Sequence, residues 1–136
     1  GAVGLMQRAL DLSLAYAGER KQFGKPIAQF QLVQEHLAAM KLDLEAARLL
    51  TYRAAWKKVK GEPYTLEASL AKLFASEAAN RVAYRAIQVH GGYGFFEEYE
   101  VARLYRDARI LTLYEGTSEV QKLIIGAHLT GVRAFA

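Results

Sequence analysis

The residues best equipped for chemistry lie in Tyr114-Glu115-Gly116-Thr117-Ser118-Glu119, where a lone carboxylate on a glycine-marked turn feeds an apolar helix. A base placed there sits at the end of a rigid element with backbone N–H groups beside it. The same residue types also start helices without any catalysis, because hydroxyls cap the first turn and acids favour the positive end of the helix dipole. Two other segments carry polar groups and bare backbone at helix ends. In Glu19-Arg20-Lys21-Gln22-Phe23-Gly24-Lys25-Pro26, followed by Phe30-Gln31, cations gather where a helix should stop. They suit the negative end of the dipole, and Arg20 in addition offers paired donors of the kind that bind phosphate oxygens. In Gln88-Val89-His90-Gly91-Gly92-Tyr93-Gly94-Phe95, three glycines in four residues let backbone N–H groups approach an anionic or planar ligand, although they spell neither common phosphate-loop pattern. His90 reads as a hydrogen-bonded turn residue, since no second histidine lies near enough to complete a metal set. Asp107 and Arg109 read as a local ion-pair network of little energetic weight if exposed.

Four main helices must position these segments. The strongest periodic signal runs through Phe30, Val33, Leu37, Met40, Leu44 and Ala47, three and four apart, and continues to Trp56 before Gly61-Glu62-Pro63 stops it. That helix spans roughly thirty residues, or about 45 Å. A second long helix opens near Pro63 to Thr65 and ends by Gly91-Gly92, with Ala68, Ala71, Ala75, Ala78, Ala79, Val82, Ala83 and Ile87 facing inward. The first helix, about residues 2 to 18, offers Val3, Met6, Leu10 and Leu14. The last, from about Thr117, offers Val120, Leu123, Ile124, Ala127 and Leu129, with Ser118 and Gln121 as a capping box. Residues 98 to 109 make one short helix. The fold class expected is all-α, an antiparallel up-and-down four-helix bundle with one additional short helix.

Composition agrees with a single folded domain covering residues 1–136. Hydrophobic residues make up 52% and charged residues 24%, with only two prolines and with glycines collected near helix ends. Absence of cysteine excludes disulfides, thiolate metal sites and a cysteine nucleophile. The formal charge of +4 is dispersed among acids, so nucleic-acid binding is not expected; the nearest approach to a basic stripe is Lys57, Lys58 and Lys60. Gly1 to Tyr16 carry Arg8 and Asp11 and read as neither a membrane span nor a secretory signal. A chain that starts without methionine is expected to be a piece of something longer.

The ordered set Arg20-Lys21-Gln22-Phe23-Gly24-Lys25-Pro26, Gln88-Val89-His90-Gly91-Gly92-Tyr93-Gly94, Tyr105-Arg106-Asp107-Ala108 and Tyr114-Glu115-Gly116-Thr117-Ser118-Glu119 resembles the C-terminal helical domain of acyl-CoA dehydrogenases over essentially the whole chain. That family also has an N-terminal helical domain and a middle β-domain, which are absent here. The resemblance implies a catalytic base at Glu115, with Tyr114 and Gly116 lining the acyl thioester. It implies contacts from Thr117 and Glu119 to the FAD of the same subunit. Arg20, Gln22, Phe23, Phe30, Gln31, Gln88, Gly91 and Gly92 match positions that reach the FAD of a neighbouring subunit, so the flavin site would be shared within a homo-oligomer, a dimer or tetramer.

The implied reaction removes the α-proton of an acyl-CoA and passes a β-hydride to the flavin, giving a trans-2-enoyl thioester, with electron-transfer flavoprotein as the onward electron acceptor. Enclosure between substrate and flavin rings would make a carboxylate a better base, and the backbone N–H of the base would serve the developing oxyanion. Glu119 stands where some members have Gln, and many members have Arg at the place of Lys122 and again near Ala127. Glu115 in its usual slot disfavours the branched-chain subgroup. An acyl-CoA oxidase or a glutaryl-CoA-type dehydrogenase would share these motifs, and a non-catalytic helical oligomerisation module is the rival from another class. The isolated fragment is expected to be inactive. A bacterial cytoplasm is the default compartment, or the mitochondrial matrix if the source is eukaryotic.

Overall fold

A computed structural model describes residues 1–134. Helices dominate it: α1 (Ala2–Glu19), α2 (Gln31–Val59), α3 (Thr65–His90), α4 (Glu100–Ile110) and α5 (Ser118–Thr130). The expected boundaries hold to within one or two residues. A two-stranded antiparallel hairpin, β1 (Lys21–Gln22) and β2 (Lys25–Pro26), links α1 to α2 through a short 3-10 turn at Ile27–Gln29, and a second 3-10 turn at Gly91–Phe95 follows α3.

Helix directions follow from which residues meet. Lys57 pairs with Glu67 and Asp43 with Arg81, so α2 and α3 run antiparallel. Tyr16 stacks on His90 while Gly1 and Ala2 lie beside Lys72 and Ala75, so α1 runs parallel to α3. Asn80 donates to the carbonyl of Ala108 at 2.9 Å, and Tyr84 and Ile87 line a cavity with Ala102 and Tyr105, so α4 descends antiparallel to α3. α3 is central. Its small residues Ala75, Ala78, Ala79, Val82, Ala83 and Ala86 are buried against Met6, Ala9 and Leu10 of α1, Met40, Leu44 and Ala47 of α2, and Val101, Leu104 and Ala108 of α4. Small side chains on the middle helix let three neighbours approach it closely, and burial of the larger chains around it supplies about 25 cal/mol per Å² of apolar surface removed from water.

The last two helices pack on α3 in different ways. The short α4 is the fourth member of the core, whereas Val120, Leu123 and Leu129 of α5 are exposed. α5 also packs on α3, with Ser118 and Gln121 buried and Ile124 and Ala127 half-buried, but it adds no side chain to the apolar core. Its cap also differs from expectation: Thr117, not Ser118, is the N-cap, accepting from the Val120 N–H at 3.3 Å, and the Ser118 hydroxyl is directed to Glu77 instead. Among the described residues no helix is long and apolar enough to cross a membrane.

Candidate functional site

The sequence-predicted site residues gather in two clusters, one at the C-terminal end of α3 and one against its middle, at Lys72, Ser76, Glu77 and Asn80. The first lies where α1 and α3 both stop. Arg20 ends α1 in an extended conformation, and Gly91 ends α3 with φ 61° and ψ −141°, a region essentially reserved for glycine. Between them opens a cavity of about 380 Å³ lined by Arg20, Gln22, Gln88, Gly91 and Gly92 together with Tyr16, His90 and Tyr93. A side chain added at Gly91 or Gly92 would meet nothing within 4 Å, so the bare backbone of both glycines faces open space. The Arg20 guanidinium lies over the Tyr93 ring, 5.2 Å from its centre. Behind it His90 stacks on Tyr16 with centroids 4.3 Å apart and hydrogen-bonds the Ala86 carbonyl at 2.8 Å through Nδ1, which must therefore carry the proton. Burial pushes the imidazole below its ordinary pKa, so it serves as a neutral wall of the cavity.

The three glycines of this segment do different work. Gly94 is buried, and a Cβ there would come within 2.9 Å of both the Ile87 carbonyl and the His90 Cβ. It is a packing glycine, not a ligand-facing one. Of the other residues that the resemblance places near this flavin, Phe23, Phe30 and Gln31 lie outside the cavity lining. Phe23, at φ 51° and 91% exposed, is at the tip of the hairpin next to Gly24 at φ 78°, and its ring meets the edge of Phe30 at 6.1 Å. Two successive positive φ values give the tight turn that matches strand twist.

The second cluster sits on the turn before α5. Glu115 takes φ 56° and Gly116 φ 94°. Glu115 is exposed within this chain and lines a groove of about 150 Å³ with Tyr114, Lys72, Ser76 and the first residues of α1. The turn is anchored from α3. Lys72 Nζ donates to the Gly116 carbonyl at 2.6 Å and the Ser118 hydroxyl donates to Glu77 at 2.5 Å. The Ser118 N–H also donates to the Thr112 carbonyl at 3.1 Å. Beside it a polar cavity of about 280 Å³ is lined by Glu77, Asn80, Arg109, Thr112, Ser118 and Glu119. Hydrogen bonds from its own backbone N–H and from the Thr117 hydroxyl hold the Glu119 carboxyl below the usual range, so it is ionised at neutral pH. The expected Asp107–Arg109 pair is not formed among the described residues; Arg109 donates to the Thr112 hydroxyl at 2.6 Å, and Arg106 pairs with Glu97. Arg109, six residues before Glu115, reaches forward to Thr112, whose carbonyl accepts from the Ser118 N–H.

Tyr16 and Lys72 escaped the sequence reading. Tyr16 precedes Arg20 by four residues on α1, a spacing that shares one helix face. Lys72 is the one cation between Thr65 and Asn80, in a stretch otherwise rich in alanine.

The residues of the first cluster fit a flavin dinucleotide by the chemistry of their donors: a guanidinium for phosphate, two carboxamides for polar ring edges, and glycine backbone that allows close approach. Along α3, Lys72 of the second cluster and Gln88 of the first are separated by about 24 Å.

Comparison with known proteins identifies the family. Residues 1–130 match the sequence profile of the family described as "Acyl-CoA dehydrogenase, C-terminal domain". The chain therefore belongs to the acyl-CoA dehydrogenase family. It is 51% identical over 128 residues to the short-chain specific acyl-CoA dehydrogenase, mitochondrial, of Homo sapiens, covering 94% of this chain and 31% of that protein. It is 50% identical to the caffeyl-CoA reductase-Etf complex subunit CarC of Acetobacterium woodii, covering 94% and 34%. The butyryl-CoA dehydrogenase structure from Megasphaera elsdenii superposes with a TM-score of 0.93 at 49% identity, covering 94% and 33%. The chain thus spans about a third of the length of these relatives.

Proposed function

We propose that this chain is the C-terminal domain, without the N-terminal helical and middle β domains, of an FAD-dependent enzyme that dehydrogenates an acyl-CoA thioester to the trans-2-enoyl-CoA, with Glu115 as the base. The observation that carries the reading is the backbone of Glu115. A non-glycine residue in the left-handed region costs energy of order 1–2 kcal/mol, and here it is held there by a turn tied down from α3 and presents its carboxylate beside a groove. Packing alone does not require that conformation of a glutamate.

The reaction then divides simply. Glu115 takes the proton from the carbon next to the thioester carbonyl and becomes a carboxylic acid. Its amide N–H, which finds no acceptor among the described residues, is available to the thioester oxygen as negative charge develops there. Tyr114 and Gly116 line the acyl thioester. Hydride leaving the β-carbon is accepted by FAD when FAD is bound. Thr117 and Glu119 contact that flavin, while Arg20, Gln22, Gln88, Gly91 and Gly92 bind the flavin of a neighbouring protomer, with Phe23, Phe30 and Gln31 completing that contact at the hairpin and the start of α2. Run in reverse, Glu115 returns the proton to the α-carbon, the direction in the printed name of the Acetobacterium relative. The Etf complex in the same name supports an electron-transfer flavoprotein as redox partner.

Homo-oligomerisation is part of the proposal. On α2 the side chains Leu42, Leu49, Tyr52, Trp56 and Val59 form a helical stripe, each more than half exposed. A stripe of that size suits a protein contact.

The test uses the full-length enzyme. Mixing it anaerobically with acyl-CoA bleaches the flavin, and Glu115→Gln is expected to slow that bleaching by about 10²- to 10⁴-fold with flavin content unchanged. An unchanged rate removes Glu115 from the base position.

A further inference from the structure

We propose that Lys72 is a positioning residue for the base: its ammonium group fixes the Glu115–Gly116 turn in the conformation that aims the carboxylate. The inference rests on the reading of Glu115 as base and adds to it a residue on a different element.

Lys72 is half-buried on α3 and makes no ion pair among the described residues. Its Nζ instead donates to the Gly116 carbonyl at 2.6 Å, a charge-assisted bond to backbone of roughly twice the strength of a neutral one. That carbonyl has one other partner, the Gln121 amide nitrogen at 3.4 Å, which is too long to hold it alone. Two successive left-handed residues, Glu115 and Gly116, make the turn unfavourable as isolated backbone, so its shape has to be imposed from outside. The ties to the rest of the molecule flank the pair: Tyr114 N–H to the Ile110 carbonyl before it, Ser118 after it. Lys72 supplies the bond to the pair itself. It also lines the same groove as Glu115, so the ammonium and the carboxylate face one space without forming an ion pair. A charge that binds the backbone of the neighbouring residue and leaves the carboxylate unpaired holds the base in place and keeps it available for a proton.

Removing that bond leaves Glu115 in the chain but lets its carboxylate wander. A misplacement of about 1 Å at a reacting group costs up to roughly 10²-fold in rate. In the full-length holoenzyme, Lys72→Met keeps the aliphatic stem and removes the donor; Lys72→Gln, shorter and uncharged, is a second probe; Lys72→Arg keeps a donor and a charge. Expected for Met and Gln is a fall of about 10- to 100-fold in the rate of flavin reduction by acyl-CoA, with flavin content and affinity for acyl-CoA little changed. Arginine is expected to restore most of the rate. Hydrogen–deuterium exchange supplies a readout independent of turnover. Amides of residues 114–118 should exchange faster in Lys72→Met than in wild type or Lys72→Arg.

Acting through the base has a further signature. Lys72→Met should add no loss to Glu115→Gln, because a group already removed cannot be misplaced. A wild-type rate in Lys72→Met beside an inactive Glu115→Gln overturns the role of Lys72 and leaves the base reading intact. Wild-type rates in both overturn the base reading and this proposal with it. A loss that multiplies in the double variant, or that arginine does not relieve, overturns positioning in favour of a general role in folding.

Discussion

Glu67 is a single carboxylate whose ionisation state is tied to the fold. It is 5% exposed and sits between Lys57 Nζ at 2.7 Å and Arg53 Nη2 at 3.5 Å, closing the α2–α3 hairpin. The Lys57 hydrogen bond above all keeps its carboxyl below the ordinary glutamate value of 4.5. Because the unfolded chain binds that proton more readily, the pair contributes stability in full above the ordinary value and loses it as the pH falls through the lowered one. Thermal unfolding of wild type and Glu67→Gln across the range from neutral to acid is expected to show wild type more stable at neutral pH, the gap narrowing below pH 4.5. A gap of constant size would mean that shape rather than charge matters at this position. Charge of this kind is legible in sequence only as a list of acids and bases. Nothing in the spacing of Lys57 and Glu67 across Gly61-Glu62-Pro63 says whether the carboxylate points in or out, since that depends on how the helices rotate against each other.

At the scale of elements, the turn after α3 separates two uses of glycine that look identical in Gly91-Gly92-Tyr93-Gly94. Gly94→Ala pushes a methyl group against the Ile87 carbonyl and His90, and is expected to lower stability by about 1–3 kcal/mol in thermal unfolding of the full-length protein. Gly92→Ala, whose new methyl group enters open space, is expected to leave the unfolding midpoint unchanged and to weaken flavin retention instead. Equal midpoints for the two would refute the distinction. Helix positions, lengths and the inner faces of α1 to α3 were legible because a repeat of three and four residues is a property of each helix by itself. The hairpin was read as the stop and start of helices: its strands are two residues each, too short for an alternating pattern, and a phenylalanine occupies one of its turn positions. The place of α5 was not legible for a different reason. Its apolar pattern predicts burial but does not say how much, and here α5 rests on α3 with Val120, Leu123 and Leu129 still exposed.

On the scale of the whole molecule, the separation of the two clusters makes a prediction about mixed oligomers. Under the proposed sharing, every flavin is served by Glu115 of one protomer and Arg20 of another. Arg20→Glu and Glu115→Gln would each inactivate a homo-oligomer, yet a dimer containing one of each has one site with both native residues. Co-expression of the two variants is therefore expected to recover about a quarter of the wild-type activity if protomers pair at random in equal amounts. No recovery would mean that both residues serve one flavin within a chain. Family and fold could be read from the order of the four motifs, whereas the wide spacing of the half-sites appears only when α3 is laid out in space.

That spacing makes α3 a ruler as well as a scaffold. Inserting or deleting one residue between Lys72 and Gln88 would shift one end by about 1.5 Å and swing it by about 100° around the axis relative to the other. No compensating substitution at either end could undo such a rotation. Insertions and deletions in this interval should be absent from every working descendant of this domain, even where nearly every individual side chain in it has been replaced.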